Sequence, residues 1–152
     1  IEALAPHFPL LAADDIATAR RLARTAVDHS VWKRAMSSRR VFREVPFLAM
    51  ETDTLLIDGF ADLVFEEAGG LIVVDFKTDR LTGRDLDTLA AHYRGQALGY
   101  ALGVSRAAGR PVREVTLLFL DTGEESTVVI DENALEEARR EAGSGDDAPA
   151  SP

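Results

Sequence analysis

Two apolar segments that each contain an aspartate constrain the fold of this chain most strongly. Residues 59–62 read GFAD, residues 71–77 read LIVVDFK, and the polar, glycine-containing residues 66–70 (EEAGG) lie between them. Apolar and partly β-branched segments bounded by turn residues predict two adjacent strands joined by a hairpin loop. Such a hairpin brings the carboxylates of Asp62 and Asp75 close together.

Two neighbouring carboxylates in a partly buried cleft indicate a cation between them. Like charges raise each other's pKa, and a divalent metal removes that repulsion. Lys77 lies two residues after Asp75, so the period-2 geometry of a strand places both side chains on the same face. The pattern therefore predicts a metal site beside a fixed positive charge.

The rest of the chain alternates between helical and strand patterns, which predicts an α/β fold. Helical patterns cover residues 14–37, 87–108 and 133–141, and strand patterns cover residues 41–50, 54–65, 71–77, 113–120 and 125–130. We expect a central mixed sheet of about five strands flanked by helices, in one domain over residues 1–142. Residues 143–152 have linker composition and are expected to be disordered.

Over residues 41–121 the chain resembles the PD-(D/E)XK nuclease superfamily, in the branch found at the C-terminal end of RecB-type and AddA-type helicase-nucleases. The matching segments are residues 43–47 (REVPF), Gly59-x-x-Asp62, residues 74–80 (VDFKTDR) and His92-Tyr93-x-x-Gln96-x-x-x-Tyr100. A strand ending Asp-x-Lys is common by chance, but four segments in this order and spacing are a specific signal. The resemblance implies a restriction-endonuclease-like core.

The resemblance also implies a metal and the groups that would hold it. Asp62 and Asp75 would be the ligands, with the backbone carbonyl of Phe76 as a third. An all-oxygen site favours Mg2+ (or Mn2+) over zinc. Another reading stays open for Asp62, which could instead cap a turn, whereas an unpaired carboxylate at Asp75 inside an apolar strand would be costly.

Three further side chains would take part in catalysis by resemblance. Lys77 would orient or deprotonate the attacking water, and Gln96 and Tyr100 would hydrogen-bond a phosphate or the water at the metal. The spacing of His92, Gln96 and Tyr100 places them along one stripe of the predicted helix. Two alternatives remain open here: Lys77 could form only a salt bridge to Asp75, and the helix pair could belong to a solvated face.

Several residues near the matching segments are candidates for contacts with the substrate. We expect Arg43, Arg80, Arg94 and His92 to bind it, although any one of the arginines could equally be a solvated surface residue. Glu44, in the REVPF segment, would lie behind the metal ligands or act as a further acid of the site. A surface position on the strand is an equal alternative for it.

Charge and the first residue indicate how such a domain would meet its substrate. The chain has 26 acidic and 17 basic residues and a formal net charge of −9. Because non-specific affinity for nucleic acid comes mainly from cations that neutralise phosphates, this domain is not expected to find DNA alone. The resemblance implies that a helicase motor delivers single-stranded DNA to the domain, within a larger helicase polypeptide or a heterodimer. The first residue, Ile1 rather than Met, favours a fragment.

The composition excludes some kinds of site. The chain has no cysteine, which excludes disulfides and the cysteine-bound iron–sulfur cluster that AddB-type and Cas4-type relatives carry. No apolar run approaches the length of a membrane span, and no signal peptide pattern is present, so no membrane partner is expected. Together with the resemblance, these observations imply a cytoplasmic, nucleoid-associated protein.

One departure from the resembled branch keeps a second function open. RecB-type domains supply a metal-binding histidine in a Gly-Thr-x-x-His context, and neither His7 nor His29 has those neighbours. The leading hypothesis is an Mg2+-dependent deoxyribonuclease, expected to be an exonuclease, that resects double-strand breaks in recombinational repair. The alternative is a catalytically inactive nuclease-fold module that binds a partner protein or DNA. Free-standing endonuclease activity fits the chemistry but not the missing Met or the acidic charge.

Overall fold

The computed structural model describes residues 12–50, 56–79 and 85–144, which form four helices and five strands. In chain order these are α1 (Ala13–Asp28), α2 (Ser30–Ser37), β1 (Val41–Met50), β2 (Leu56–Glu67), β3 (Gly70–Lys77), α3 (Leu86–Ala108), β4 (Val112–Phe119), β5 (Glu124–Val129) and α4 (Glu132–Ser144). Within these residues, none of the helices combines the length and apolar character needed to cross a bilayer.

The five strands form one sheet in the order β1-β2-β3-β4-β5. Only β3 and β4 pair in parallel, and α3 is the crossover between them; the other neighbours are antiparallel. The prediction of a five-stranded mixed sheet flanked by helices is confirmed. Parallel pairing aligns the carboxyl ends of β3 and β4, so the Asp75–Lys77 end of β3 lies beside the N-terminal half of α3.

Helices cover both faces of the sheet. Val73 and Val115 pack in one cluster with residues of α3 and α4, while Val74 and Leu118 pack in another with residues of α1 and α2. Successive residues of a strand point to opposite faces, so this alternation gives a three-layer arrangement with the sheet in the middle. The continuous apolar run of β3 follows from its burial on both faces.

The single helix predicted over residues 14–37 is wrong, because the chain breaks at His29. This residue has an extended backbone and ends α1, while its ring Nδ1 accepts a hydrogen bond from the Val31 amide and so caps α2. A side chain that satisfies a free amide at a helix start stabilises a new helix at that point. The break allows α2 to turn onto the sheet.

Other predicted boundaries shift by a few residues. The hairpin loop predicted over residues 66–70 is shorter, because β2 continues to Glu67, β3 begins at Gly70, and Gly69 adopts a positive φ of 97°. Helix α3 is capped by Asp85, whose carboxylate accepts from the Thr88 amide at 2.6 Å. Helix α4 continues to Ser144, into the tail predicted from residue 143. The predicted turn over residues 51–53 and tail residues 145–152 lie outside the described residues.

The Phe47 ring of β1 occupies a slot that exists only because two glycines lack side chains. A Cβ built on Gly59 of β2 would lie 2.8 Å from the ring Cζ, and one built on Gly103 of α3 would lie 2.6 Å from the ring Cδ2. The ring also packs edge-on against Tyr100, with centroids 5.9 Å apart. The slot therefore fixes the distance between α3 and the strands at the position of Tyr100.

We expect Gly103→Ala to destabilise the protein by about 1–3 kcal/mol, because the added methyl must displace a packed ring. Gly99→Ala is the matched control on the same helix, since a Cβ there meets nothing within 4 Å. Removing an interior helical glycine should make the control more stable by about 0.5–1 kcal/mol. Urea unfolding of both variants measures these changes. Equal free energies of unfolding for Gly103→Ala and Gly99→Ala would contradict the role of Gly103 in the Phe47 slot.

Candidate functional site

Three acidic residues occupy one row across β1, β2 and β3. Leu63 pairs with Val74, so Asp62 and Asp75 occupy the next position along the two antiparallel strands. Pairs on either side of Glu44 place it opposite Asp62 in the same way. A hydrogen bond of 2.7 Å from the Phe76 amide of β3 to Oδ2 of Asp62 connects the two strands at this row. The hairpin thus brings together the two aspartates that the sequence singled out.

The carboxylate of Asp75 is buried, with 5% of the residue exposed. Its Oδ1 accepts a hydrogen bond of 3.0 Å from the Tyr100 hydroxyl. Oδ2 is also buried, and the Lys77 ammonium forms an ion pair with it at 2.6 Å. The contact does not have hydrogen-bond geometry, so Oδ2 has no hydrogen-bond partner. This oxygen is ion-paired but not hydrogen-bonded, so it keeps a lone pair that can bind a cation.

Helix α3 closes a circuit of contacts around Asp75. The Lys77 ammonium donates to Oε1 of Gln96 at 2.5 Å, and the Gln96 amide donates to the Tyr100 hydroxyl at 3.1 Å. Because Gln96 and Tyr100 are four residues apart, they lie one above the other on the same helix face. Asp75, Lys77, Gln96 and Tyr100 are therefore linked pairwise in a ring.

The electrostatics of the site disfavour a negative charge on Asp62. Burial raises the pKa of Asp62, and the charges of Asp75 and Glu44 raise it further. The hydrogen bond from the Phe76 amide and the charge of Lys77 lower this pKa, but the net shift is upward. Burial and the Asp75 carboxylate also raise the pKa of Tyr100, so its phenol stays protonated and acts as a donor. Extra negative charge here is unfavourable unless a cation compensates it.

The donor set fits a hard divalent cation in part. Asp62 and Asp75 supply carboxylate oxygens from adjacent strands, and the unpartnered Oδ2 of Asp75 is the kind of atom that such an ion would ligate. Within the part of the chain that the structure describes, however, no group of three or more His, Asp or Glu side chains is arranged to hold a metal ion. Ligands beyond the two aspartates would have to be backbone carbonyls or water.

Of the arginines predicted to bind substrate, the two that the structure describes, Arg43 and Arg94, contact other parts of the protein. Arg43 lies over the Trp32 ring at 5.5 Å, on the side of the sheet covered by α2. Arg94 donates two hydrogen bonds to Glu137 of α4, at 2.8 and 2.6 Å, which lowers the pKa of that carboxyl. Arg80 lies outside the described residues.

His92 and Glu44 lie at the edges of the site. His92 is exposed on α3, and its ring packs against that of Tyr93 with centroids 5.0 Å apart. Glu44 is exposed and has a φ of 50°, a left-handed backbone that a glutamate rarely adopts within a strand. Its charge reaches Asp62, so it belongs to the electrostatics of the acidic row.

Two contacts of Lys77 and its neighbourhood were not anticipated from the sequence. The Tyr93 ring lies below the ammonium, with Nζ 3.9 Å from the ring centroid, and the Tyr93 hydroxyl donates to Asp79 at 2.8 Å. Spacing was the signal that could have found them, because Tyr93 precedes Gln96 by three residues and Tyr100 by seven. These intervals place all three on one helix face.

Several known proteins are similar to this chain. A family model described as the PD-(D/E)XK nuclease superfamily matches residues 2–148. Among similar curated proteins, the A subunit of the ATP-dependent helicase/nuclease from Acetivibrio thermocellus is 33% identical over 105 residues, which cover 59% of this chain and 8% of that protein. The corresponding protein from Bacillus mycoides is 30% identical over 114 residues, which cover 62% and 9%. The chain thus spans less than a tenth of these relatives.

A solved structure shares the fold. The crystal structure of a candidate exonuclease from Eubacterium rectale superposes with a TM-score of 0.56 at 18% sequence identity, covering 88% of this chain and 52% of that chain. At this level of identity the likeness shows the fold alone. The restriction-endonuclease-like core expected from the sequence agrees with this likeness and with the mixed sheet.

The raised pKa of Asp62 predicts an unusual pH dependence of stability. A carboxyl whose pKa is higher in the folded state stabilises the fold below its unfolded value of 3.8, and that contribution is lost as pH rises through the folded pKa. With EDTA present, we therefore expect Asp62→Asn to be more stable than the unmodified chain at pH 7, and this advantage to shrink towards pH 4.

Urea unfolding across this pH range measures the difference. Asp58→Asn, which removes an exposed acid from the same strand, is the matched control. Asparagine can still accept the Phe76 amide, so the comparison isolates the charge of Asp62. An Asp62→Asn variant that is less stable than the unmodified chain at pH 7 would contradict the electrostatic description.

Proposed function

Because the chain belongs to the PD-(D/E)XK nuclease superfamily, we propose that it is a metal-dependent DNA nuclease domain that hydrolyses phosphodiester bonds. The observation that carries the proposal is the convergence of Asp62, Asp75 and Lys77 at the end of β3, with one buried carboxylate oxygen lacking a hydrogen-bond partner. A decayed site would have little reason to keep a buried acid and a buried lysine together.

Asp62 and Asp75 would hold Mg2+ or Mn2+, with the backbone carbonyl of Phe76 as a further ligand. When bound there, a divalent cation polarises the phosphoryl oxygen, favours ionisation of the attacking water and stabilises the leaving alkoxide. The hydrogen bond from the Phe76 amide holds the Asp62 carboxylate towards β3. The Tyr100 hydroxyl donates to Oδ1 of Asp75, so Oδ2 is the oxygen left to bind the cation beside Lys77.

Lys77 would act on the water and on the phosphate. Its ammonium is held between Oδ2 of Asp75 and Oε1 of Gln96, so it lies beside the metal position. From there it can orient the water by hydrogen bonding and counter the negative charge that develops on the phosphoryl oxygens. Gln96 hydrogen-bonds both Lys77 and Tyr100 and so fixes their relative positions. Its side chain is exposed, so we expect its amide to hydrogen-bond a phosphate as well.

The setting we propose is a DNA helicase-nuclease that resects double-strand breaks in recombinational repair, acting as an exonuclease. The matched relatives are named as helicase/nuclease subunits, which supports this setting. The net charge of −9 supports delivery of single-stranded DNA by a motor rather than independent capture. In this setting the domain would be part of a larger polypeptide or heterodimer and would act in the cytoplasm, at the nucleoid.

One observation favours a second candidate function. Within the described residues, two carboxylates but no third acidic or histidine ligand are arranged for a metal. A catalytically inactive nuclease-fold module that binds DNA or a partner protein would need no such ligand. The two functions differ in whether the domain binds Mn2+ through Asp62 and Asp75.

Digestion of a labelled single-stranded oligonucleotide with Mg2+ or Mn2+ tests the leading proposal. We expect Asp75→Asn and Lys77→Met each to lower the rate by roughly 100-fold or more, because both remove groups that act on the reacting atoms. Glu136→Gln, which neutralises an exposed acid of α4, should digest at the unmodified rate. Equal rates in all three variants would rule out this catalytic site.

Calorimetric titration with Mn2+ separates the two candidate functions. Heat of binding that disappears in Asp62→Asn and Asp75→Asn but persists in Glu136→Gln supports the nuclease. A chain that binds no Mn2+ and digests nothing supports the inactive module.

A further inference from the structure

We propose that Tyr93 is a positioning residue for Lys77: its ring holds the ammonium beside Asp75 independently of the carboxylate. This inference rests on the proposed function, in which Lys77 acts on the reacting atoms. Tyr93 is placed to act through Lys77, because its own hydroxyl is directed to Asp79 rather than to the acidic row. The observation that carries the inference is the distance of 3.9 Å between Nζ of Lys77 and the centroid of the Tyr93 ring.

The ring supplies an attraction that the other partners of Lys77 cannot supply throughout a reaction cycle. Asp75 is the proposed metal ligand, so its carboxylate would share its charge with a cation. Gln96 is exposed and also contacts Tyr100, so it is able to exchange partners with substrate. An aromatic face attracts an ammonium through its quadrupole and carries no net charge, so its attraction does not depend on the charge of Asp75.

The Tyr93 ring is itself fixed from two sides. Its apolar body packs with the cluster formed by Leu89, Leu117 and Phe119, next to the end of β4. Its hydroxyl donates to Asp79 at 2.8 Å, and Asp79 follows Lys77 by two residues. The same aromatic residue therefore contacts the ammonium of Lys77 with its face and the backbone segment after Lys77 through Asp79.

A lysine in this position needs such support because its side chain is long. A buried lysine side chain loses rotamer entropy when it is held in one conformation. If the Asp75 carboxylate bound a metal ion in place of Lys77, the ammonium would keep only the Gln96 contact unless the ring also held it. The geometry therefore predicts that the ammonium stays in place when the charge of Asp75 is removed.

Selective labelling makes this directly measurable, because the chain contains only two lysines, Lys33 and Lys77. In protein grown with 13C-labelled lysine, protons next to the Lys77 ammonium lie over the Tyr93 ring and should be shifted upfield relative to those of Lys33. We expect this shift to persist in Tyr93→Phe, which keeps the ring, and to vanish in Tyr93→Leu. Leucine keeps apolar contact with the Phe119 cluster, so the variant should fold.

The decisive variant is Asp75→Asn in the full chain. If the ring holds the ammonium, the Lys77 shift survives in Asp75→Asn and also in the double variant Asp75→Asn/Gln96→Ala, which removes both polar partners of Lys77. Loss of the shift in Asp75→Asn alone, or its survival in Tyr93→Leu, would overturn the proposal. This readout needs neither metal nor activity.

Kinetics give a second readout. We expect Tyr93→Leu to lower kcat about tenfold with KM little changed, equivalent to about 1.4 kcal/mol of transition-state stabilisation, while Tyr93→Phe restores most of the rate. Activity in the unmodified chain with equal kcat for Phe and Leu would refute the positioning role. No activity in the unmodified chain would count against the proposed function instead, and the labelling experiment would still decide the role of Tyr93.

Discussion

The buried carboxylate of Asp75 is the constraint on which the rest of this structure depends. It lies near the end of a strand that, apart from Lys77, has no other charged residue and is covered on both faces, where an unpaired charge is expensive. Lys77 offsets that charge directly and Tyr100 hydrogen-bonds one of its oxygens. Lys77 reaches it from the same strand, and Tyr100 reaches it because α3 crosses the sheet where β3 ends. The position of the site is therefore a consequence of the parallel β3–β4 pair and its crossover helix.

The site and the hydrophobic core are built from the same contacts. Tyr100 reaches Asp75 with its hydroxyl while its ring packs against Phe47, and Phe47 in turn fills the slot left by Gly59 and Gly103. A change of side-chain volume in that slot would move Tyr100 relative to β3. This explains physically why a glycine and an aromatic residue, neither of them chemically reactive, accompany the acidic residues in the segments that resemble the superfamily.

Sequence alone predicted the part of the site that depends on strand and helix periodicity. The hairpin that aligns Asp62 with Asp75, and the helix face shared by Gln96 and Tyr100, follow from periods of 2 and 3.6 residues. The break at His29 was missed because it depends on a side-chain cap that competes with continued helix. The positions of side chains such as Arg43 depend on which neighbour packs beside them, and periodicity carries no information about that.

Two groups of acidic residues differ in whether the protein itself satisfies their charge, and this difference separates residues that stabilise the fold from residues suited to bind a cation. Arg34 of α2 donates to both Glu67 and Glu114, and this pairing lowers the pKa of Glu67 and fixes α2 to the sheet. In the acidic row the pKa of Asp62 is raised instead, and Glu44 adopts a left-handed backbone that costs about 1–3 kcal/mol. Acids that are satisfied within the protein support the fold, whereas acids held in an unfavourable state have most to gain from an external cation.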